Sequence, residues 1–368
     1  MVRSDLSSLP AYVPGATVPG ALKLASNETS QGPLPSVLSL INDATSSLNR
    51  YPDMAAVDIR ATLAEFVAPG NSDEGNNLSW ENIAVGNGSS ALCQQAIQAT
   101  CEQGDEVVFA WRSFEAYPIL TRIAGAVPVP VPLDADLRHD LDAMAAAITD
   151  RTRLVFVCNP NNPTGTTITS EEFADFMAKV PERVHVVLDE AYLEYDRSGD
   201  GPLAPYLNLA QALATYSNLA VCRTFSKAYG LAGLRLGYMV GHAEFIEAIN
   251  KVGIPFGVNA LAQAAGVASL KAQGELLERV AATVEQRTRV LTALGEQAPD
   301  LRVESQANFV WLPVGDKAGE LDAALKNEGI ITRCFAGEGV RITITTEEEI
   351  SRLLPALDKA LAATGLKH

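Results

Sequence analysis

Histidine and cysteine are scarce in this 368-residue sequence, and each shortage removes a class of chemistry. The 4 histidines stand apart from one another and from any carboxylate motif, so a histidine-built metal site or a Ser-His-Asp triad is not expected. The 5 cysteines, Cys93, Cys101, Cys158, Cys222 and Cys334, form no C-x-x-C pair, which argues against a disulfide framework and a zinc site. No metal is expected. Positive charge is short as well: 28 Lys+Arg against 44 Asp+Glu leave a formal net charge of -16 with no basic run. Nucleic acid and anionic membranes repel such a surface, so neither is an expected partner. No window has the apolar length of a membrane span, and the opening MVRSDLSSLPAYVPGA lacks the apolar centre of a secretory leader. A reducing cytoplasm is the expected location.

Core-forming residues, by contrast, are plentiful: 47% of the chain is hydrophobic, enough at this length for two closely associated domains. Residues 1–35, rich in Pro, Gly and Ser, read as an extended arm. Across 36–255, the short apolar runs NIAVGNG, DEVVFAW, AVPVPVPL, RLVFVCNP, VHVVLDEAY and LAVCRTFSK alternate with segments of helical periodicity. This predicts an α/β fold whose mostly parallel sheet is sandwiched by helices. Across 256–368, long helical patterns lead into NFVWLPV, IITRCF, VRITIT and a terminal helix, the pattern of a smaller α/β domain.

In such sheets the functional loops lie beyond the carboxyl ends of the strands. GNGSS, AWRSFEAY, NPNNPTG, DEAYLEY and RTFSKAYG are therefore expected to converge on one crevice. Within VCRTFSKAYGLAGLRLGY, Lys227 is a lone amine in apolar, glycine-punctuated surroundings. A desolvated lysine near other cations loses its proton readily and can hold an aldehyde cofactor covalently. Pyridoxal 5'-phosphate is the obvious one; it needs an acid at its pyridine nitrogen, hydrogen bonds at its phenolic oxygen, a flat partner and phosphate donors. Asp189 suits the first need, Asn162 and Tyr192 the second, and Phe114 the third. Thr224, Ser226 and Arg235 flank Lys227 and suit the phosphate, as do Ser89 and Ser90 where a helix opens.

NPNNPTG, DEAYLEY and TFSKAYGLAGLRLGY resemble, in order and spacing, the motifs of the fold-type I pyridoxal-phosphate aminotransferases of class I/II. LPAYVPG, LASNE, NRYPD, ANFVWL and VRITIT are similar to the histidinol-phosphate aminotransferase branch. GNGSSALCQQAIQATCEQGDEVVFAWRSFEAYPI and IPFGVNALAQAA look most like the related actinobacterial phenylalanine, or aromatic amino-acid, aminotransferases. Ser90 and Ala91 stand where typical histidinol-phosphate enzymes carry an acidic pair, and WRSFEAY replaces a proline-threonine-tyrosine motif. The resemblance implies a transaminase acting between an aromatic amino acid such as phenylalanine and 2-oxoglutarate, with histidinol-phosphate aminotransferase as the alternative. It implies that Lys227, Asp189 and Tyr192 are catalytic and that Arg341 grips the substrate carboxylate, with Arg333, Tyr12 and Asn308 nearby. It also implies a homodimer in which Tyr51 crosses to the partner's cofactor phosphate. Each residue has a plainer reading: Asp189 as a helix cap, Phe114 as core, Arg333 and Arg341 as structural ion pairs, Tyr12 and Tyr51 as buried loop edges.

Overall fold

The computed structural model describes residues 18–68, 78–199 and 208–367, so Tyr12 lies outside the described residues. The strands in chain order are β1 (Leu22–Lys23), β2 (Ile83–Gly86), β3 (Glu106–Trp111), β4 (Val127–Pro132), β5 (Thr152–Cys158) and β6 (His185–Asp189). They continue as β7 (Leu219–Thr224), β8 (Gly237–Gly241), β9 (Phe309–Leu312), β10 (Ile330–Ile331), β11 (Arg333–Phe335) and β12 (Gly339–Thr343). Seven of them form the central sheet, in the order β2-β8-β7-β6-β5-β3-β4.

The apolar runs become central strands because both faces are covered. Along β3, Val107 and Phe109 enter one apolar cluster while Val108 and Ala110 enter another, as a period of two requires. β5 divides in the same way, with Leu154 and Phe156 opposite Val155 and Val157. Helices Ser89–Thr100, Ala116–Ile123 and Ala243–Val252 contribute Leu92, Tyr117 and Ile246 to one face. Helix Ser170–Met177 contributes Phe173 and Phe176 to the other. The proline-rich VPVPVP forms β4 at the sheet edge, where a missing N–H is tolerated.

β8 is antiparallel to both of its neighbours, and the apolar-run reading did not pick it out. Its five residues, GYMVG, begin and end in glycine and are all buried, which hides them in the glycine-punctuated loop pattern. Gly237 pairs with Gly86, and a Cβ there would overlap the backbone of Gly88 and Ser89. This close approach brings the start of β8 against the N-terminus of helix Ser89–Thr100.

A second group of strands forms a three-stranded antiparallel sheet, β11-β12-β9, and a two-stranded parallel pair, β1-β10. IITRCF is thus two strands: Ile330 and Ile331 pair with Leu22 and Lys23, whereas Arg333 to Phe335 pair with β12. Between them Thr332 turns to donate its hydroxyl to Asp322, at 2.7 Å. The apolar core of this group includes Leu22 and Leu24, which belong to the expected arm. The 25-residue helix Gln273–Gln297 passes between the two groups, with Leu276 and Val280 in the large cluster and Val290 and Leu294 in the small one. Helix Ala260–Lys271, which follows the sequence-based division at 255/256, still packs in the large cluster through Ala262, Ala265 and Ala268. Among the described residues no helix is long and apolar enough to cross a membrane.

The tight seam at Gly237 yields a test. Gly237→Ala is expected to cost about 1–3 kcal/mol by overpacking, read as a fall in Tm. Gly319→Ala, where a Cβ meets nothing within 4 Å, should show no such fall.

Candidate active site

β5, β6 and β7 run parallel with Cys158, Asp189 and Cys222 in adjacent register, so the loops after them open on one edge of the sheet. A cavity of about 470 Å³ lies there. Lys227, Asp189, Tyr192, Asn162, Phe114, Ser89, Ser90, Thr224, Ser226, Arg235 and Arg341 all line it. Residues more than 250 positions apart in the chain thus share one hollow, because the strand ends that carry them do.

Lys227 stands three residues beyond the end of β7, and its Nζ donates to the carbonyl of Ser26 at 3.2 Å. Desolvation draws its pKa down to about 8, reinforced by the guanidinium groups of Arg341 and Arg235 and opposed by Glu28. At mildly alkaline pH a substantial share of this amine is therefore uncharged and nucleophilic.

Asp189 closes β6 in a buried position. Its Oδ2 accepts from the Tyr117 hydroxyl at 2.7 Å, and Tyr117 is itself held flat against Phe156 with ring centroids 4.5 Å apart. Oδ1 is buried and has no hydrogen-bond partner among the described residues. Burial lifts the carboxyl to about 6 against the opposing Tyr117 bond. The capping alternative does not apply, because the next turn, Leu193–Tyr195, has Tyr192 at its N-cap with no side-chain bond. An unpartnered carboxylate oxygen in a cavity wall is what a cationic N–H donor of a bound molecule would satisfy.

The opposite end suits a phosphate. Helix Ser89–Thr100 opens after Gly88 with no side-chain cap, leaving its first N–H groups for an anion. The Arg235 guanidinium reaches Ser226 Oγ at 3.3 Å, Ser90 Oγ at 3.5 Å and the carbonyl of Asn87 at 3.3 Å. Gly88 has a φ of +78°, and a Cβ there would overlap that guanidinium. Thr224 accepts from the Ser226 N–H at 3.1 Å, which folds the loop towards the same point. Amine, carboxylate and phosphate cradle fit the pyridoxal phosphate implied by the sequence resemblance.

Arg341, buried on β12, donates to Asn162 Oδ1 and, at 2.9 Å, to the carbonyl of Ala25. Asn27 donates to the Tyr192 hydroxyl at 3.0 Å. Burial pushes that phenol up to about 12, with Arg341 opposing, so it stays protonated and able to donate. One sequence-based placement needs correction, that of Asn308; Arg333 lies beside the cavity rather than in its wall, and Tyr51 lies outside that wall. Asn308 is absent from the cavity wall; it is buried behind Asn27 and donates to that residue's carbonyl at 3.1 Å. Arg333 is also absent from the wall, its Nη2 being held by both oxygens of Glu115 at 3.0 and 2.9 Å. Tyr51 is 83% exposed and lies against Phe256, away from the cavity of its own chain.

Sequence reasoning assigned no role to Ser26, Asn27, Glu28, Glu115 or Tyr117. LASNE was visible as a motif, but only the pairing of β1 with β10 carries the following residues to the cavity. Tyr117 follows Phe114 by three positions, a helical spacing that sets the two rings edge to face at 5.4 Å.

Residues 19–357 match the family model for aminotransferases of class I and II. The chain is 65% identical to an aromatic amino acid aminotransferase of Corynebacterium jeikeium (strain K411), over 100% of this chain and 95% of that one. It is 55% identical to an aromatic amino acid aminotransferase of Corynebacterium glutamicum (strain R), over 97% of this chain and 98% of that one. The crystal structure of histidinol-phosphate aminotransferase from Sinorhizobium meliloti in complex with pyridoxal-5'-phosphate is similar with a TM-score of 0.83 and 28% identity, covering 98% of each chain.

Two measurements on cofactor-free protein follow from these environments. Site-resolved acylation of Lys227 should titrate with a midpoint near pH 8, against roughly 10.4 for an ordinary lysine. Asp189 has a folded pKa raised from 3.8 to about 6, so its contribution is fully favourable below 3.8 and is lost as pH rises through about 6. Asp189→Asn should therefore stabilise the fold at pH 8 by at most about 3 kcal/mol, read as a rise in Tm, and give no such rise at pH 3.5.

Proposed function

The chain belongs to the aminotransferases of class I and II, and we propose that within this family it moves the amino group between an aromatic amino acid, phenylalanine foremost, and 2-oxoglutarate. Its cofactor is pyridoxal 5'-phosphate. The observation that carries the reading is the set of three groups in one cavity: an amine with a pKa of about 8, a buried carboxylate oxygen without a partner, and a guanidinium-and-helix anion cradle.

Lys227 would hold the cofactor's aldehyde carbon, Asp189 its pyridine nitrogen, Asn162 and Tyr192 its phenolic oxygen, and Phe114 one ring face. Ser89, Ser90, Thr224, Ser226 and Arg235 would hold its phosphate. When bound, the cofactor supplies a carbonyl to take up the amino group and an electron-withdrawing ring. Arg341 binds the substrate carboxylate as a two-pronged fork, exchanging its present carbonyl and amide partners for carboxylate oxygens. That fixes the substrate Cα, and Lys227 Nζ, once free, takes the Cα proton as general base. Asn27, held by Thr343 at 3.0 Å, keeps the Tyr192 hydroxyl in place. Phe114, Ile119 and Leu120 give the substrate's far end an apolar wall, which suits a ring.

The active unit in this reading is a homodimer. A neighbouring hollow of about 400 Å³ is bordered by Met54, Ile254 and Phe256, which are exposed together with Tyr51. A second copy seated there would cover this apolar face and bring its own Tyr51 towards the phosphate end. In this reading the clusters on the two faces of the large sheet belong to a large cofactor domain and the third to a smaller domain. All five cysteines are thiols, as suits the cytoplasm.

The test is a panel of 2-oxo acids offered against glutamate, with histidinol phosphate and 2-oxoglutarate as a separate arm. Phenylpyruvate should be the best acceptor, with the parallel double-reciprocal lines of a ping-pong cycle. Preferential use of histidinol phosphate would overturn the aromatic assignment. Lys227→Ala should lower kcat by about 10²–10⁴-fold or more.

A further inference from the structure

Arg333 on β11 lies directly opposite Arg341 on β12, and opposed residues of an antiparallel pair project from the same face of the sheet. Both guanidinium groups approach the Phe335 ring, with Cζ at 5.7 and 5.8 Å from its centroid. Two arginines so placed would ordinarily form a double anion site, one fork for each end of a dianionic substrate. Here the two are not equivalent. Arg341 stands in the cavity wall, whereas Arg333 is tied to Glu115 through both carboxylate oxygens.

Glu115 itself lines the cavity, between Phe114 and Ala116 and one turn before Ile119 and Leu120. The ion pair is only partly exposed, at 17% for the arginine and 28% for the glutamate, so solvent screens it incompletely. A second pair repeats the arrangement beside it. Arg112, 5.3 Å from the same Phe335 ring, is held by Glu338. The two cations beside the Phe335 ring are thus each matched by a carboxylate, and Phe114, Ile119 and Leu120 supply apolar wall next to Glu115.

We propose that Glu115 is a specificity-determining residue: by occupying Arg333 it lowers the affinity of the substrate's side-chain end for a second anionic group and so favours an uncharged ring. The inference rests on the aminotransferase reading above. A ring packs against Phe114, Ile119 and Leu120 without disturbing the ion pair. The distal carboxylate of 2-oxoglutarate has to share Arg333 with Glu115. A phosphate, carrying nearly two charges, meets the same repulsion more strongly.

The experiment compares the holoenzyme with Glu115→Gln, which keeps the shape and removes the charge. The ratio of kcat/KM for phenylpyruvate to that for 2-oxoglutarate should fall about tenfold, chiefly through a lower KM for the dicarboxylate. Glu115→Asp should retain most of the wild-type ratio, and the double variant Glu115→Gln/Arg333→Gln should lose the gain. Dissociation constants for two unreactive probes, glutarate and 3-phenylpropanoate, should shift by the same factor in favour of glutarate. An unchanged ratio in Glu115→Gln, or a gain that survives loss of Arg333, overturns the proposal. If the wild-type protein turns over neither substrate, the aminotransferase reading fails on its own. The probe constants then decide the role of Glu115: an unchanged preference between them overturns it.

Discussion

Holding an amine, two guanidinium groups and a buried carboxylate in one cavity is electrostatically costly, and much of the architecture around the sheet edge serves to make it possible. Lys227 is desolvated beside Arg341 and Arg235, which favours its neutral form. Asp189 is desolvated beside Tyr117, which holds one oxygen and leaves the other facing no partner. Neither state is what a folded chain selects for its own stability. In the proposed function both would be satisfied by one small molecule that brings a carbonyl carbon, a ring N–H and a phosphate.

Rigid support is correspondingly dense. Tyr117 is packed on Phe156, in the covered face of the sheet. Asn27 connects Tyr192, Thr343 and Asn308, and so ties the loop after β6 to two strands of the smaller group. Arg341 is anchored from the same smaller sheet to Asn162 and to the carbonyl of Ala25. Contacts with the smaller group and the segment after β1 therefore support both ends of the cavity: Ser26 accepts from Lys227, Asn27 holds Tyr192 and Arg341 holds Asn162. Charge compensation extends beside the cavity, where Arg333 and Arg112 are each held by a carboxylate next to the Phe335 ring.

The covered parallel sheet was legible because its strands are unbroken apolar runs, and RLVFVCNP became β5 with six of seven residues buried. β8 was not legible, since two glycines in five residues carry no alternation and serve a close backbone approach instead. IITRCF read as one strand, because local pattern does not reveal that Thr332 separates pairing with β1 from pairing with β12. The division near residue 256 followed a change from short strands to long helices. The apolar clusters instead change over within helix Gln273–Gln297, whose two ends bury their faces in different cores.

The sequence by itself determined the chemistry available: a lone lysine, an aspartate ending an apolar strand, and an arginine eight residues beyond the lysine, in loops that a parallel sheet must gather at one edge. Side-chain type and the succession of apolar runs along the chain are local properties, so they can be read in one dimension. Tertiary structure decided which charges remain available. Arg333 and Arg341 look alike in the sequence, yet Glu115 occupies the first and the cavity receives the second, because pairing depends on distance in space across more than 200 residues of chain. Asn308 was displaced from substrate contact to support for Asn27 for the same reason, since a buried amide bonds to whatever carbonyl packing brings within reach.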